Sequence, residues 1–460
     1  MELVYSLQGW LAPTVYLLLI LACLLYVNNQ GKGFLVASFS ITLLMSLLIE
    51  IGKLDSVRDS FLAVEEYFAW VGLLDIIGSL ISGVLLVVAW SNIMYQQTDN
   101  DSRQQGFTQR LSIGFKGKAL AFNAIILFVI PAAFFLVALF APDYSSVFLS
   151  FSFGAIYMVI AIYYLLSNRL FINGNQYYKA SVFFAASFIV IAVGSFVQFG
   201  IQNFLPVDRI DNPMVIFVSA SQLFFFFVML HLMLLALGVS ELTLKKSNKT
   251  HPLSHSSQPS SLSRAAFKTT SRTRPGRLWL YLTLQFVGVV LTFLGLMMMI
   301  EFFPSSTLLL VAISVGVISF IAAQVYFLML LYRIWRHVIQ TSAPLNITPS
   351  INSPAKAVGF LFIPLFSLYW IFIAIGKLTT DINKLSEKQQ GLQVVGGLGV
   401  IFCIIGLLGL IPIVGYIFTG VGLMVLGPVL LHQLISAVQA NSCEDNSDKD
   451  SLTVHSTAHT

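Results

Sequence analysis

Apolar residues along this chain collect in blocks of roughly twenty, separated by short polar stretches. A block of that length spans a ~30 Å hydrocarbon core at 1.5 Å rise per residue, so each reads as a transmembrane helix. Seven blocks come first, at 10–27, 34–51, 70–93, 119–141, 147–167, 181–203 and 214–239, and make up an amino-terminal part, 1–239. The stretch 240–277 is polar, rich in Ser and Thr, with eight Lys/Arg and one acid, Glu241. Such a composition buries no core and reads as a disordered or surface linker. A second apolar part, 278–440, opens with spans near 278–302 and 306–333. Its uncharged run from Gln389 to Ala440 is long enough for two more spans, with Pro412 near the turn. Residues 441–460 form an acidic, polar tail expected to be disordered.

The block 357–376, bounded by Lys356 and Lys377, reads two ways. Twenty uncharged residues can just cross a bilayer, which gives twelve spans. Crossing would carry Lys377, Lys384 and Lys388 to the opposite side from the preceding cations. The favoured alternative is a re-entrant hairpin. A half-helix runs from Lys356 to Ile363, the chain breaks from Pro364 through Ser367, and it returns through Tyr369 and Trp370. Pro364 lacks an amide hydrogen and interrupts a continuous helix, which membranes tolerate where protein or water satisfies the backbone. The expected fold is therefore an all-α polytopic transmembrane bundle of about eleven spans with one re-entrant hairpin.

Composition agrees: 57% of the residues are hydrophobic and 10% are charged, against roughly 25% charged in soluble domains. The net charge of +5 would suit nucleic acid if the cations formed one face, but most of them flank apolar blocks instead. No nucleic-acid partner is expected; the partner is the lipid bilayer. Alternate loops divide 18 Lys/Arg from three, Lys53, Arg58 and Arg209. The positive-inside rule puts the 18 in the cytoplasm, with the amino terminus outside, the linker inside and, given the hairpin, the tail inside. Arg272, Arg274 and Arg277, directly before Trp279, form a basic membrane-surface segment suited to anionic lipids. Small residues at four-residue spacing, Gly78/Ser82 and Ser79/Gly83, permit close helix approach, within the chain or in a homo-oligomer.

No zinc-protease, nucleophile-elbow, phosphate-loop or dinucleotide motif occurs, so the sequence points to no catalytic residue, cofactor or metal site. Three cysteines, Cys23, Cys403 and Cys443, share no metal or redox spacing. Asp75 is the most pointed candidate, about five residues into the third span from its outer end. A carboxylate at that depth faces a bundle interior or wet cavity and binds cations or relays protons, or else it is hydrated from the nearby interface or hydrogen-bonded to a neighbouring Ser or Thr. Glu50, Glu65 and Glu66 join it in an acidic outer mouth that would concentrate cations, although inward sorting of Lys and Arg gives the same imbalance. His231 lies deep in the seventh span, either titratable or a packing residue. It sits about 18 Å deeper than Asp75 at 1.5 Å per residue, so the two are not expected to be partners.

From Pro354-Ala-Lys-Ala-Val-Gly-Phe through Pro364, Ser367, Tyr369-Trp370 and on to Asp381-Ile-Asn383, the chain resembles a segment of uncharacterised bacterial multi-pass inner-membrane proteins. It departs from their pattern at Ser367, where Asn is frequent. The resemblance implies a bacterial inner-membrane location and no particular activity. The amino-terminal part is similar in layout alone to bacterial seven-helix sensor regions. Two functions follow as expectations: transport or permeation of a cation or small solute, and a non-catalytic sensory or membrane-assembly role that binds partner helices or a lipid-like ligand.

Overall fold

A computed structural model describes residues 9–27, 30–51, 64–100, 118–140, 145–168, 176–204, 213–246, 278–301, 307–363, 366–389, 391–409, 411 and 415–440. The described chain is almost entirely helical. Among the described residues β pairing is confined to two strands of two residues each, β1 (Lys245–Lys246) antiparallel to β2 (Leu392–Gln393). Seven helices are long and apolar enough to cross a membrane: Lys32–Ile51, Val71–Met94, Lys118–Ala138, Tyr177–Gln198, Leu223–Thr243, Thr307–Leu345 and Phe418–Ala440. Four shorter apolar helices, Leu11–Tyr26, Phe151–Ser167, Leu278–Thr292 and Leu398–Leu408, accompany them. Leu25, Phe122, Leu308 and Ile318 are each more than 60% exposed. Water would penalise so many bare apolar faces, whereas lipid does not. The chain is an all-α helical membrane protein.

Contacts divide it into two compact units. The first holds residues 1–243, 290–314 and 412–425. Its leading helices are α1 (Leu11–Tyr26), α2 (Lys32–Ile51), α3 (Val64–Asn100), α4 (Val129–Phe140), α5 (Ser145–Ser167), α6 (Gln176–Phe204) and α7 (Pro213–Thr243). A turn at Phe128 separates α4 from the helical residues beginning at Lys118. Packing runs α1–α2–α3, steps from α3 to α5, continues α5–α6–α7, and returns from α7 to α1, with α4 against α5. Six helices thus close a ring whose walls face a common interior.

Small residues let the ring close. A Cβ added at Gly194 would strike Phe227, and one at Gly238 would strike Phe184, so aromatic side chains of one helix seat on bare backbone of the next. Gly78 meets Met45 of α2, and Gly83 meets Phe128 and Ile160. The four-residue stripe on α3 is used in packing within the chain. A hydroxyl clamp holds one end of α3, α5 and α6: Trp90 Nε1–H donates to Ser167 Oγ at 3.1 Å, and Ser181 Oγ–H donates to the Tyr164 carbonyl at 2.9 Å.

The second unit holds residues 244–289, 315–411 and 426–460. Its elements come from α8 (Leu278–Glu301), α9 (Thr307–Ser342), α10 (Pro354–Gly359), α11 (Phe366–Ile371), α12 (Lys377–Gln389) and α13 (Leu398–Leu408). A further helix, α14 (Gly415–Val421), belongs to the first unit; it continues through a π turn at Gly422–Leu426 as helix to Ala440, and from Leu426 on its residues belong to the second. α8 and α9 run antiparallel, with Tyr281 beside Phe327 (6.0 Å), Gln285 accepting from Gln324 Nε2–H (2.9 Å), and Gly288 against the Phe320 backbone. Ser240–Thr243 continue α7, and Lys245–Lys246 form β1, so these residues of the linker stretch have regular structure. Residues 247–277 and the tail lie outside those described.

The block 357–376 is not one helix. α10 gives way to a 3-10 turn at Phe360–Phe362, Ile363 is extended, α11 begins at Phe366, and a π turn, Phe372–Gly376, leads into α12. Trp370 Nε1–H donates to the Ala357 carbonyl at 2.9 Å. In a continuous helix those residues would stand about 20 Å apart, so the chain has reversed between them. Phe360 and Phe366 pack on the Trp370 ring at 4.8 and 5.6 Å and hold the reversal shut. Pro364 itself lies outside the described residues; Ser367 and Tyr369 sit on α11, Tyr369 exposed.

Candidate functional site

Asp75 and Ser79 stand one helical turn apart on α3, on the same face. That face looks into the ring of six helices. Asp75 is half-buried, within electrostatic reach of Tyr16 from α1 and Tyr157 from α5. The Tyr157 hydroxyl shares a hydrogen bond with the Ser79 side chain. Three helices therefore bring a carboxylate and three hydroxyl groups to one place inside the bundle.

The polar lining continues along α2 and α3. Ser82 Oγ lies 2.7 Å from Ser38 Oγ and 3.2 Å from Thr42 Oγ1. On α2, Thr42 donates to the Ser38 carbonyl and Ser46 donates to the Thr42 carbonyl, at 3.1 and 2.9 Å. Ser38, Thr42 and Ser46 repeat every fourth residue on α2, and Asp75, Ser79 and Ser82 follow one another at intervals of four and three on α3. Ser38 and Ser82 are buried, so these hydroxyls join α2 to α3 while also bonding back to their own helix.

His231 belongs to a different pair. Its Nδ1 lies 2.7 Å from Ser187 Oγ and 3.0 Å from the Ser187 carbonyl, while Ser187 Oγ–H donates to the His231 carbonyl at 3.0 Å. The reciprocal bonds join α6 to α7, with Phe188 packed 5.4 Å away. This is a satisfied interhelical packing arrangement. Tyr157 nevertheless stands next to it, its ring 6.4 Å from the imidazole, so one tyrosine borders both Asp75 and His231. Nearby, the buried Tyr164 hydroxyl has no hydrogen-bond partner among the described residues, and its ring stacks on Phe188 at 6.0 Å. An orphan hydroxyl in a bundle interior is a group that water or solute satisfies.

Glu50, in the last turn of α2, is placed by another contact. Its buried carboxylate lies against Gly9, just ahead of α1, and occupies the space a side chain would need. A helix amino terminus favours a negative charge there, so Glu50 supports the start of α1. The Glu65 and Glu66 side chains and Arg272, Arg274 and Arg277 lie outside the described residues. Among the described residues no three His, Cys, Asp or Glu side chains converge as metal ligands.

Sequence patterning singled out Asp75 and overlooked Tyr16, Ser79 and Tyr157. A signal for the tyrosines was present: both sit well inside apolar blocks, whereas membrane tyrosines favour the interfaces. Comparison with family models, curated proteins and solved structures returns no match.

Proposed function

We propose that the protein carries or conducts a cation or small solute through its first unit, with Asp75 as the ionisable centre. The observation behind this reading is the placement of a half-buried carboxylate among Tyr16, Ser79 and Tyr157, at the head of a hydroxyl-lined stretch of α2 and α3. An intramembrane carboxylate is costly unless its charge is used, and one negative charge ringed by hydroxyls and aromatic faces suits one positive charge. The same proposal places the protein in a bacterial inner membrane, with about eleven spans, a re-entrant hairpin at 357–376, the amino terminus outside, and linker and tail cytoplasmic. Anionic lipids would meet the linker at Arg272, Arg274 and Arg277.

The test is gradient-driven uptake of K⁺ or methylammonium into proteoliposomes. Asp75→Asn should lower the wild-type rate at least tenfold while the folded yield is kept. If Asp75→Leu retains both stability and the full rate, the carboxylate is an interface residue and the reading fails.

A second reading, sensing or assembly without flux, draws on Tyr157. It borders Asp75 on α3 and His231 on α7, and in this reading occupancy at one would act on the other across three helices. Wild-type proteoliposomes that take up neither cation, yet change tyrosine fluorescence when it is added, would favour this reading.

A further inference from the structure

On the second unit, α9 turns a single stripe toward the 3-10 turn that follows α10. Val325, Met329, Arg333 and Arg336 follow one another at intervals of four, four and three residues, so they share a face. Val358 and Phe362 form the opposite wall. Between them lies a groove with a cavity volume of about 670 Å³, within the roughly 300–1,000 Å³ of ligand pockets. One end is apolar and exposed, with Val325 at 53% and Phe362 at 69%. The other end carries two exposed guanidinium groups.

Among the described residues no carboxylate pairs with those arginines. No Asp or Glu occurs between Glu301 and Asp381. Asp381 is buried and accepts from Ser350 N–H and Oγ–H at 2.6 and 2.9 Å, with Lys384 also beside it. Among the described residues neither Arg333 nor Arg336 forms an ion pair. Position along α9 bears on what could neutralise them. Counting from Thr307, a ~30 Å core takes up about 20 residues, ending near Phe327. Val325 and Met329 then sit at the acyl boundary. The Arg333 and Arg336 backbone lies ~9–14 Å further along the helix, on the polar side of that boundary, from which long side chains reach back toward the headgroups. A long apolar slot ending in paired guanidiniums at that depth matches an amphiphile with an acyl chain and a phosphate. Arginine forks bind phosphate oxygens in two-point contacts.

We propose that this groove binds one anionic phospholipid, its phosphate on Arg333 and Arg336 and one acyl chain along Val325, Met329 and Phe362. The site is separate from the basic residues ahead of α8 and independent of the proposed role of Asp75.

The test uses the full chain, purified in detergent and titrated with phosphatidylglycerol or phosphatidylcholine, with bound lipids counted by native mass spectrometry. The wild type should retain one phosphatidylglycerol at least tenfold more tightly than phosphatidylcholine. The double variant Arg333→Gln/Arg336→Gln should lose that preference, and Arg333→Lys/Arg336→Lys should keep most of it. Adding millimolar inorganic phosphate should leave the lipid bound, because the acyl chain contributes to its hold. Equal retention of the two lipids by the wild type would overturn the proposal. So would an undiminished preference in the folded Gln variant, or displacement of the lipid by phosphate alone. If the Gln variant does not fold, Phe362→Ser, at an exposed apolar wall, should weaken phosphatidylglycerol retention severalfold; unchanged retention there would also overturn it.

Discussion

The two units solve the same problem, polar groups in an apolar setting, by opposite means. In the first unit the backbone is mostly regular helix, which satisfies its own amides and carbonyls. Polar side chains are therefore free to meet one another across helix faces, as Ser82 meets Ser38 and Ser187 meets His231. In the second unit the backbone is broken repeatedly, and polar side chains are spent on repairing it. Asn383 both donates to the Val394 carbonyl and accepts from its N–H, at 3.0 and 2.8 Å, imitating a β-ladder. Ser386 donates to the Leu392 carbonyl, Trp335 to Ala374 beside the π turn, and Gln433 accepts from Val395 N–H. The contrast separates two uses of a polar residue. In the first unit such residues pair with one another across helix faces; in the second they complete a broken backbone.

α12 shows how the second unit is organised. Its buried positions, Leu378, Asp381, Ile382 and Leu385, fall on one side at helical spacing. Asp381 gathers the loop at Ser350, and Asn383 and Ser386 gather the segment before α13. Three residues from one helical turn and a half thus secure two irregular loops.

Two buried cysteines, Cys23 in the first unit and Cys403 in the second, allow each region to be followed by its own thiol reactivity on heating, in a Cys443→Ser background. The largest effect should come from Asp381→Leu, which strands the Ser350 donors and removes a charge-assisted bond, at a cost of about 3 kcal/mol. Cys403 should become reactive at a distinctly lower temperature with Cys23 still protected; a parallel loss at Cys23 would break the distinction between the regions. Trp370→Phe is expected to cost about 1 kcal/mol, because the rings of Phe360 and Phe366 keep their packing while the bond to Ala357 is lost. That variant should expose Cys403 modestly, and no change would mean that the hairpin is held by ring contacts alone. The smallest effect belongs to Ser82→Ala, about 0.6 kcal/mol, typical of hydrogen bonds between helices in lipid. Cys23 protection should scarcely move, although the uptake proposed for the first unit should fall severalfold. A stability loss above 2 kcal/mol would show that the hydroxyl pair is structural after all.

Much of this architecture was legible in the residue pattern. The blocks of apolar residues dictated helices, because a bilayer offers the backbone no partner but itself. Pro364, set in a block barely long enough to cross, pointed to an interruption, and the Trp370–Ala357 bond closes that interruption into a reversal. Asp75 stood out because a carboxylate is rare and costly at its depth. Depth along the helix axis set Asp75 and His231 apart in the sequence, whereas in the structure Tyr157 borders both. Periodicity carries no information about which helix faces which, and that is where tertiary structure decided the site. Tyr157 comes to Asp75 only because α3 packs on α5, and Tyr16 only because α7 returns to α1 and closes the ring. The His231–Ser187 pair required the register of α6 against α7. The groove beside Arg333 and Arg336 required the chain to fold back between α9 and α10, so that Val358 and Phe362 meet α9. Apolar length and lone charges are properties of a segment and survive in the sequence; contacts between segments distant along the chain are fixed by packing.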